Sequence, residues 1–311
     1  MIACILKVLE DYMNKAGIII LNYNNWEDTI ECINGCSNIK YPHIIIVVDN
    51  CSTDESYRQL SERLAHNIIL LQTKTNLGYA GGNNVGIDCA LKNGCSFICV
   101  LNNDTLIQED FLTPCIEVLN RNPNIAFIGP TLIDYRTGLV QSTGGNVNLK
   151  RGLASQINNN KRYEDVPKYV KCDYICGACI ICNKETIEKI GHIPESYFLF
   201  FEETEWCYRA AKYGLTNICL GDTKIVHKGS ASIDKTKGLN GYLMCRNRVA
   251  FVRRNLDSRV MSYLFYISLI CKNIIRFLLG RNDAIDNIKA YYDGWHKKVN
   301  TRRYPFIVIN E

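Results

Sequence analysis

Apolar residues gather along this chain in short, unbroken, β-branched runs separated by stretches of helical character. Gly17-Ile18-Ile19-Ile20-Leu21, His43 to Val48, Asn67 to Leu71 and Ser96 to Leu101 are four such runs. Continuous apolarity of that length predicts strands covered on both faces. A short N-terminal stretch before the first run reads as helical. Ser52-Thr53-Asp54 offers an N-cap for a helix running to about Leu64, and the Gly-rich segment Asn76 to Asn84 is expected to lead into a helix near Val85 to Leu91. Strands alternating with helices imply right-handed βαβ units and a mostly parallel sheet. Further on, Ile125 to Ile133 reads as a strand, Gln141 to Lys171 as polar and loop-rich, and Tyr174 to Cys182 as apolar again. A helix from Lys184 to Ile190 is expected to stop at Gly191.

Three of the apolar runs end abruptly in polar residues: Asn22-Tyr23-Asn24-Asn25, Asp49-Asn50-Cys51-Ser52-Thr53-Asp54 and Asn102-Asn103-Asp104-Thr105. In parallel sheets ligands bind outside the carboxyl ends of the strands, so Asn24, Asp49 and Asp104 are predicted to converge on one crevice. Oxygen ligands on a rigid support suit a hard divalent cation or a sugar hydroxyl. The same residue types also start turns, and at this stage both readings stand.

Later segments add chemistry. Phe198-Leu199-Phe200-Phe201 is followed at once by Glu202-Glu203-Thr204-Glu205-Trp206, and carboxylates beside apolar surface gain the proton affinity that a general base needs. The competing reading is acids at a helix N-terminus, with Glu205 pairing Arg209 one turn on. His227 ends the run Ile225-Val226; a lone His is more often packed than ligating, and its weight depends on whether Asp104 lies opposite. Cys172, Cys176, Cys179 and Cys182 have spacing compatible with zinc or an iron–sulfur cluster, but they alternate with Ile and Ala as small apolar strand residues do, which is the favoured reading. Gly78 to Gly82 lacks both the G-x-G-x-x-G spacing and a Walker lysine, which argues against a dinucleotide or ATP site.

Composition bounds the rest. The chain has 311 residues, 47% of them hydrophobic and 22% charged, enough for one large domain with an appendage. Its 16 Cys are not preceded by a leader pattern, so reduced thiols in a cytoplasmic protein are expected rather than a secreted disulfide scaffold. The net charge of +5 is carried by the C-terminal end, where Arg246 to Glu311 holds thirteen Lys/Arg against five Asp/Glu. Interleaved Tyr263, Phe265, Tyr266, Phe277 and Trp295 suit an anionic membrane surface or nucleic acid, and a solvated helical face is the alternative. The apolar stretch Tyr263 to Leu279 is interrupted by Lys272 and Arg276, which fits lying at an interface or packing on the main domain better than spanning.

Taken together, Ile20 to Asn24, Val48 to Asp54, Asn76 to Gly86 and Leu101 to Asp104 resemble the family-two glycosyltransferases of the A-type fold, in particular their rhamnosyltransferase-like branch. Gly177-Ala178-Cys179, Gly191, Phe198 to Glu205, Arg209, His227 with Ser230 and Ser232, and Arg246-Asn247-Arg248 match in order. The resemblance implies an α/β GT-A fold, Rossmann-like with helices flanking the sheet, over residues 1–255, and a basic amphipathic helical region over 256–311. It also implies an inverting transfer from a nucleotide-diphosphate sugar to a saccharide or lipid-linked saccharide in glycan or polysaccharide assembly. Tyr23, Asn24, Asp49 and Asn76 would hold the nucleoside, with Gly78, Asn83 and Asn103 completing the donor side. Asp104, with His227, would bind Mg²⁺ or Mn²⁺, and Glu203 would be the base, with Glu202 and Trp206 on the acceptor side. The chain departs from the family pattern at Asn102 and Glu203, where Asp is usual. Peripheral contact with the inner face of the cell membrane is expected, and nucleic acid is not. A catalytically weak sugar-binding protein of the same fold is the alternative.

Overall fold

The computed structural model describes residues 14–229, 238–305 and 307. The N-terminal stretch expected to be helical, and Ser230 and Ser232, lie outside them. A single large sheet organises the chain, in the order β10-β12-β6-β11-β4-β1-β2-β3. Its strands are β1 (Ala16–Asn22), β2 (His43–Asp49), β3 (Ile69–Gln72), β4 (Phe97–Asn102), β6 (Ile125–Asp134), β10 (Tyr169–Cys172), β11 (Cys179–Asn183) and β12 (Thr216–His227). β5 (Thr105–Leu106) pairs with β12, β7 (Val140–Ser142) pairs with β6, and β8 (Gly145–Asn148) with β9 (Leu153–Gln156) forms a separate hairpin.

β3, β2, β1 and β4 run parallel, and β12 runs parallel to β6. β11 is antiparallel to both β4 and β6, which makes the sheet mixed. Alternate residues of β1 enter opposite cores: Ile18 and Ile20 face one layer and Ile19 the other. The continuous apolar runs are therefore explained by burial on both faces. The same alternation separates the cysteines, with Cys179 in one core and Cys172 and Cys182 in the other. They act there as small apolar fillers.

The helices are α1 (Trp26–Gly35), α2 (Ser56–Arg63), α3 (Gly78–Lys92), α4 (Leu112–Arg121), α5 (Lys184–Ile190), α6 (Glu202–Lys212), α7 (Leu239–Asn255), α8 (Arg259–Leu278) and α9 (Asp283–Trp295). α5 has the bounds read from the sequence, with Asn183 accepting from Thr186 N at its start and Gly191 at its end. α3 corrects one expectation, because it begins at Gly78 rather than near Val85. Its glycines are interior contact points. A Cβ on Gly82 would lie 2.4 Å from Leu21 Cδ1, and one on Gly86 would lie 2.3 Å from Ile19 Cγ2. Helix and sheet approach too closely for any side chain there, and that contact outweighs the poor helix propensity of glycine.

After the sheet, α7 joins two apolar clusters: Ala250 and Phe251 pack with Tyr197 and Phe201, while Val249 and Val252 pack with Phe265, Leu269 and Tyr291. α8 is the one helix among the described residues that is long and apolar enough, by length and composition, to cross a membrane. Its charged residues do not break it. Gly86→Ala is expected to destabilise the fold by about 1–3 kcal/mol through overpacking against the β-branched Ile19, measured by chemical denaturation.

Candidate active site

A cleft of about 390 Å³ opens at the carboxyl ends of β1, β2 and β4. Tyr23, Asn76, Gly78, Asn103, Asp104, His227, Glu202 and Glu203 all line it, although they span more than half of the chain. β5 explains the most distant pairing: Thr105 sits opposite His227 in an antiparallel bridge, and this carries Asp104 to the imidazole. His227 Nε2 stands 3.1 Å from Asp104 Oδ1, while Nδ1 lies 2.8 Å from Gln141 Oε1. The imidazole is thus held between Gln141 and Asp104. Nε2 is buried and has no hydrogen-bonding partner. Asp104 and His227 are two side chains that could ligate a divalent cation, and among the described residues no group of three or more His, Cys, Asp or Glu is assembled to hold one.

The opposite wall carries the acids. α6 begins immediately after the Phe198–Phe201 run, and its first turn holds Glu202, Glu203 and Glu205. Glu205 is spent structurally: Arg209 binds it at 2.8 Å, Arg254 lies 3.8 Å away and the Tyr197 hydroxyl donates to it. Glu202 and Glu203 face the cleft, each with one buried carboxylate oxygen that has no partner. Burial raises the proton affinity of both, and the neighbouring charge of Glu203 raises that of Glu202 further. Both readings of this segment thus hold, each for a different carboxylate.

The turn that presents these acids is strained. Phe198, Phe200 and Phe201 all have positive φ, at 67°, 71° and 73°, a conformation costing on the order of 1–3 kcal/mol per residue. α7 holds it in place. The Asn247 side-chain amide donates to the carbonyls of Tyr197, Leu199 and Phe200 at 3.0, 2.7 and 2.9 Å. Arg246 is also buried, and it donates to Ser196 O at 2.7 Å and Lys298 O at 2.9 Å. On the other side, Tyr79 N donates to Phe198 O at 2.8 Å. Gly78, at φ +70°, approaches so closely that a Cβ would lie 2.2 Å from that oxygen. Asn50 completes the chain of contacts, bonding Asn76 Oδ1 and Gly78 O through Nδ2, each at 3.0 Å.

Four expected site residues are not among those lining the cleft. The Asp49 carboxylate is fully buried and engaged by Asn22, Ser52 and Gln72. Asn24 is tied to Ser52 and Thr53. Asn83 is buried within α3 and donates to Tyr79 O. Trp206 is fully buried, packed on Phe127 at a ring separation of 4.5 Å, with Nε1 donating to Gly191 O. Its indole is enclosed in the core and is not among the residues lining the cleft.

The family model for glycosyl transferase family 2 matches residues 17–191. The chain is a family-two glycosyltransferase. Among curated relatives it is 28% identical over 251 residues to the low-salt glycan biosynthesis hexosyltransferase Agl10 of Haloferax volcanii, covering 78% of this chain and 76% of that protein. It is 26% identical over 222 residues to the dTDP-rhamnosyl transferase RfbF of Shigella flexneri, covering 68% of this chain and 71% of that protein. These relatives agree with the rhamnosyltransferase-like branch. A structure of GalNAc-T7 with UDP, GalNAc and Mn²⁺ superposes with a TM-score of 0.67 at 14% identity, over 90% of this chain and 55% of that one. That likeness is one of fold.

Several residues that build the glycosyltransferase's cleft were not assigned there from sequence. Asn50, Tyr79 and Phe198 to Phe200 lay inside motifs that had been noticed without a role. Leu239 and Asn240 gave no local signal, because only the folding of α7 brings them to the cleft; Gln141, on β7, meets His227 without lining the cleft. Asn247→Ala is expected to cost about 2–4 kcal/mol, since it leaves three carbonyls without their donor. Denaturant unfolding measures this, and turnover should fall with it as the Glu202–Glu203 turn loosens.

Proposed function

We propose that this glycosyltransferase moves a sugar, with inversion, from a nucleotide-diphosphate donor to a saccharide or lipid-linked saccharide acceptor in glycan or O-antigen-like polysaccharide assembly. It would work in the cytoplasm at the inner membrane face. One observation carries the reading: Asp104 with His227, and Glu203 with its buried, unpartnered carboxylate oxygen, line one cleft. Charge can thus be neutralised at the leaving group while a proton is taken at the nucleophile.

Tyr23, Asn76 and Asn103 bind the donor from the strand ends, and Asn103 is held by Asn25 O and Thr29 Oγ1. Asp49 and Asn24 act from behind, stiffening the turn after β2. Asp104 and His227 would hold Mg²⁺ or Mn²⁺, which when bound supplies Lewis-acid stabilisation of the departing diphosphate. The relatives' names support hexosyl or rhamnosyl transfer, and the fold neighbour was solved with UDP and Mn²⁺.

Glu203 removes the proton from an acceptor hydroxyl as its oxygen bonds to the anomeric carbon. The bond from that carbon to the phosphate oxygen breaks, and its electron pair leaves with the nucleoside diphosphate. Burial and the neighbouring Glu203 hold Glu202 above the ordinary carboxylate range, which opposes a second negative charge beside the base. The aromatic run before these acids keeps water from the base.

Glu203→Gln should lower transfer or donor hydrolysis by about 10²–10⁴-fold with nucleoside-diphosphate binding retained. Asp104→Ala should weaken Mn²⁺ binding measured by calorimetry. Wild-type turnover in both variants would defeat the assignment. Because the base works ionised and burial raises its proton affinity, activity should rise with pH along a limb above the ordinary carboxylate range. The stability contribution has the opposite sign: it falls as pH climbs through that same interval, because the folded state binds the proton more tightly than the unfolded chain does.

A further inference from the structure

α8 has two unlike faces. Ser262, Phe265, Leu269 and Asn273 recur at helical spacing and are buried, with Phe265 and Leu269 packed among Val249, Val252 and Tyr291 of α7 and α9. The opposite stripe comprises Val260, Leu264, Ile267, Cys271, Ile274 and Leu278, all exposed, with Val260, Leu264 and Leu278 at 69%, 59% and 76%. Not one of these six side chains carries a charge or an amide. At 1.5 Å per residue the stripe is roughly 27 Å long. An uninterrupted apolar strip of that length on the outside of a folded chain marks a contact surface.

The flanking charge selects the occupant. From Arg259 to Asn282 the chain holds Arg259, Lys272, Arg276 and Arg281 and no carboxylate. The nearest acids are Asp257, exposed two residues before the helix, and Asp283 and Asp286 on α9, which are engaged by Arg276 at 2.6 Å and by Arg303 at 3.0 Å. We infer that the outer face of α8 docks in the plane of an anionic lipid bilayer, its apolar stripe in the acyl boundary and its cations among the headgroups.

A second copy of the chain fits less well, because it would bring these cations against their own counterparts. Spanning is opposed by the inner face, where Asn273 is buried, donates to Leu269 O at 3.0 Å and accepts from Asn287 of α9 at 3.3 Å. The helix stays clasped to the protein and therefore lies along the membrane. Tyr263, exposed on the flank and in edge contact with Trp295, places an amphipathic aromatic pair at headgroup depth. The inference is independent of the metal and base assignments, since it concerns a different surface.

The test is flotation of the full chain with vesicles of phosphatidylcholine alone or with about 30 mol% phosphatidylglycerol. The chain is expected to float with the anionic vesicles, less so as salt rises. The Leu264→Glu/Leu278→Glu double variant should lose binding by about tenfold or more with an unchanged circular-dichroism melt. Both positions face solvent, so folding is not at stake. Absence of flotation with anionic vesicles, binding unchanged in the double variant, or a wild-type dimer that the double variant splits would each overturn the inference.

Discussion

One side-chain amide sets the form of the acid-bearing wall. Asn247 of α7 donates to three consecutive-region carbonyls of the turn from Tyr197 to Phe200, and without that capture a run of bulky residues at positive φ has no reason to persist. The turn in turn aims Glu202 and Glu203, receives Tyr79 N, and closes against Gly78. Local preference alone would straighten these phenylalanines. Their conformation is imposed by a donor almost fifty positions away in sequence, and the buried Arg246 beside it ties the same turn to the segment after α9.

The other wall depends on a different kind of constraint. Parallel β1, β2 and β4 end together, so polar residues that follow each strand meet without further design. The two-residue strand β5 then fixes Asp104 relative to His227 through its antiparallel bridge to β12. Gln141 bonds the other ring nitrogen of that imidazole at 2.8 Å and helps fix its orientation. The donor side is thus built on sheet geometry and the acid side on a captured turn, which gives the two walls separate structural origins.

How far the sequence could be read follows from this difference. Strands β1, β2, β4 and β6 were legible because burial on both faces writes itself as continuous apolarity, and α5 because its two caps are local. The start of α3 was misjudged because Gly78 to Gly82 looks like a loop until the approach of Ile19 and Leu21 is known; a tertiary contact overrode propensity. Trp206 was placed at the site because it follows the acids, whereas the helical turn carries it into the core. Asp104 and His227 were expected to act together, but what brings them together was not legible, since it is a strand of only two residues. Asn247 belonged to a noticed motif, but the need it meets is visible only in the backbone it holds.

The capture by α7 also has a consequence along the chain. The family domain match ends at residue 191, and the sheet with its donor-facing strand ends is complete by β12. The chain therefore separates the cleft's strand-end residues from the helix that secures its acids: every strand of the sheet precedes α7 in sequence, and the turn before Glu202 and Glu203 takes its hydrogen bonds from a segment that follows them all.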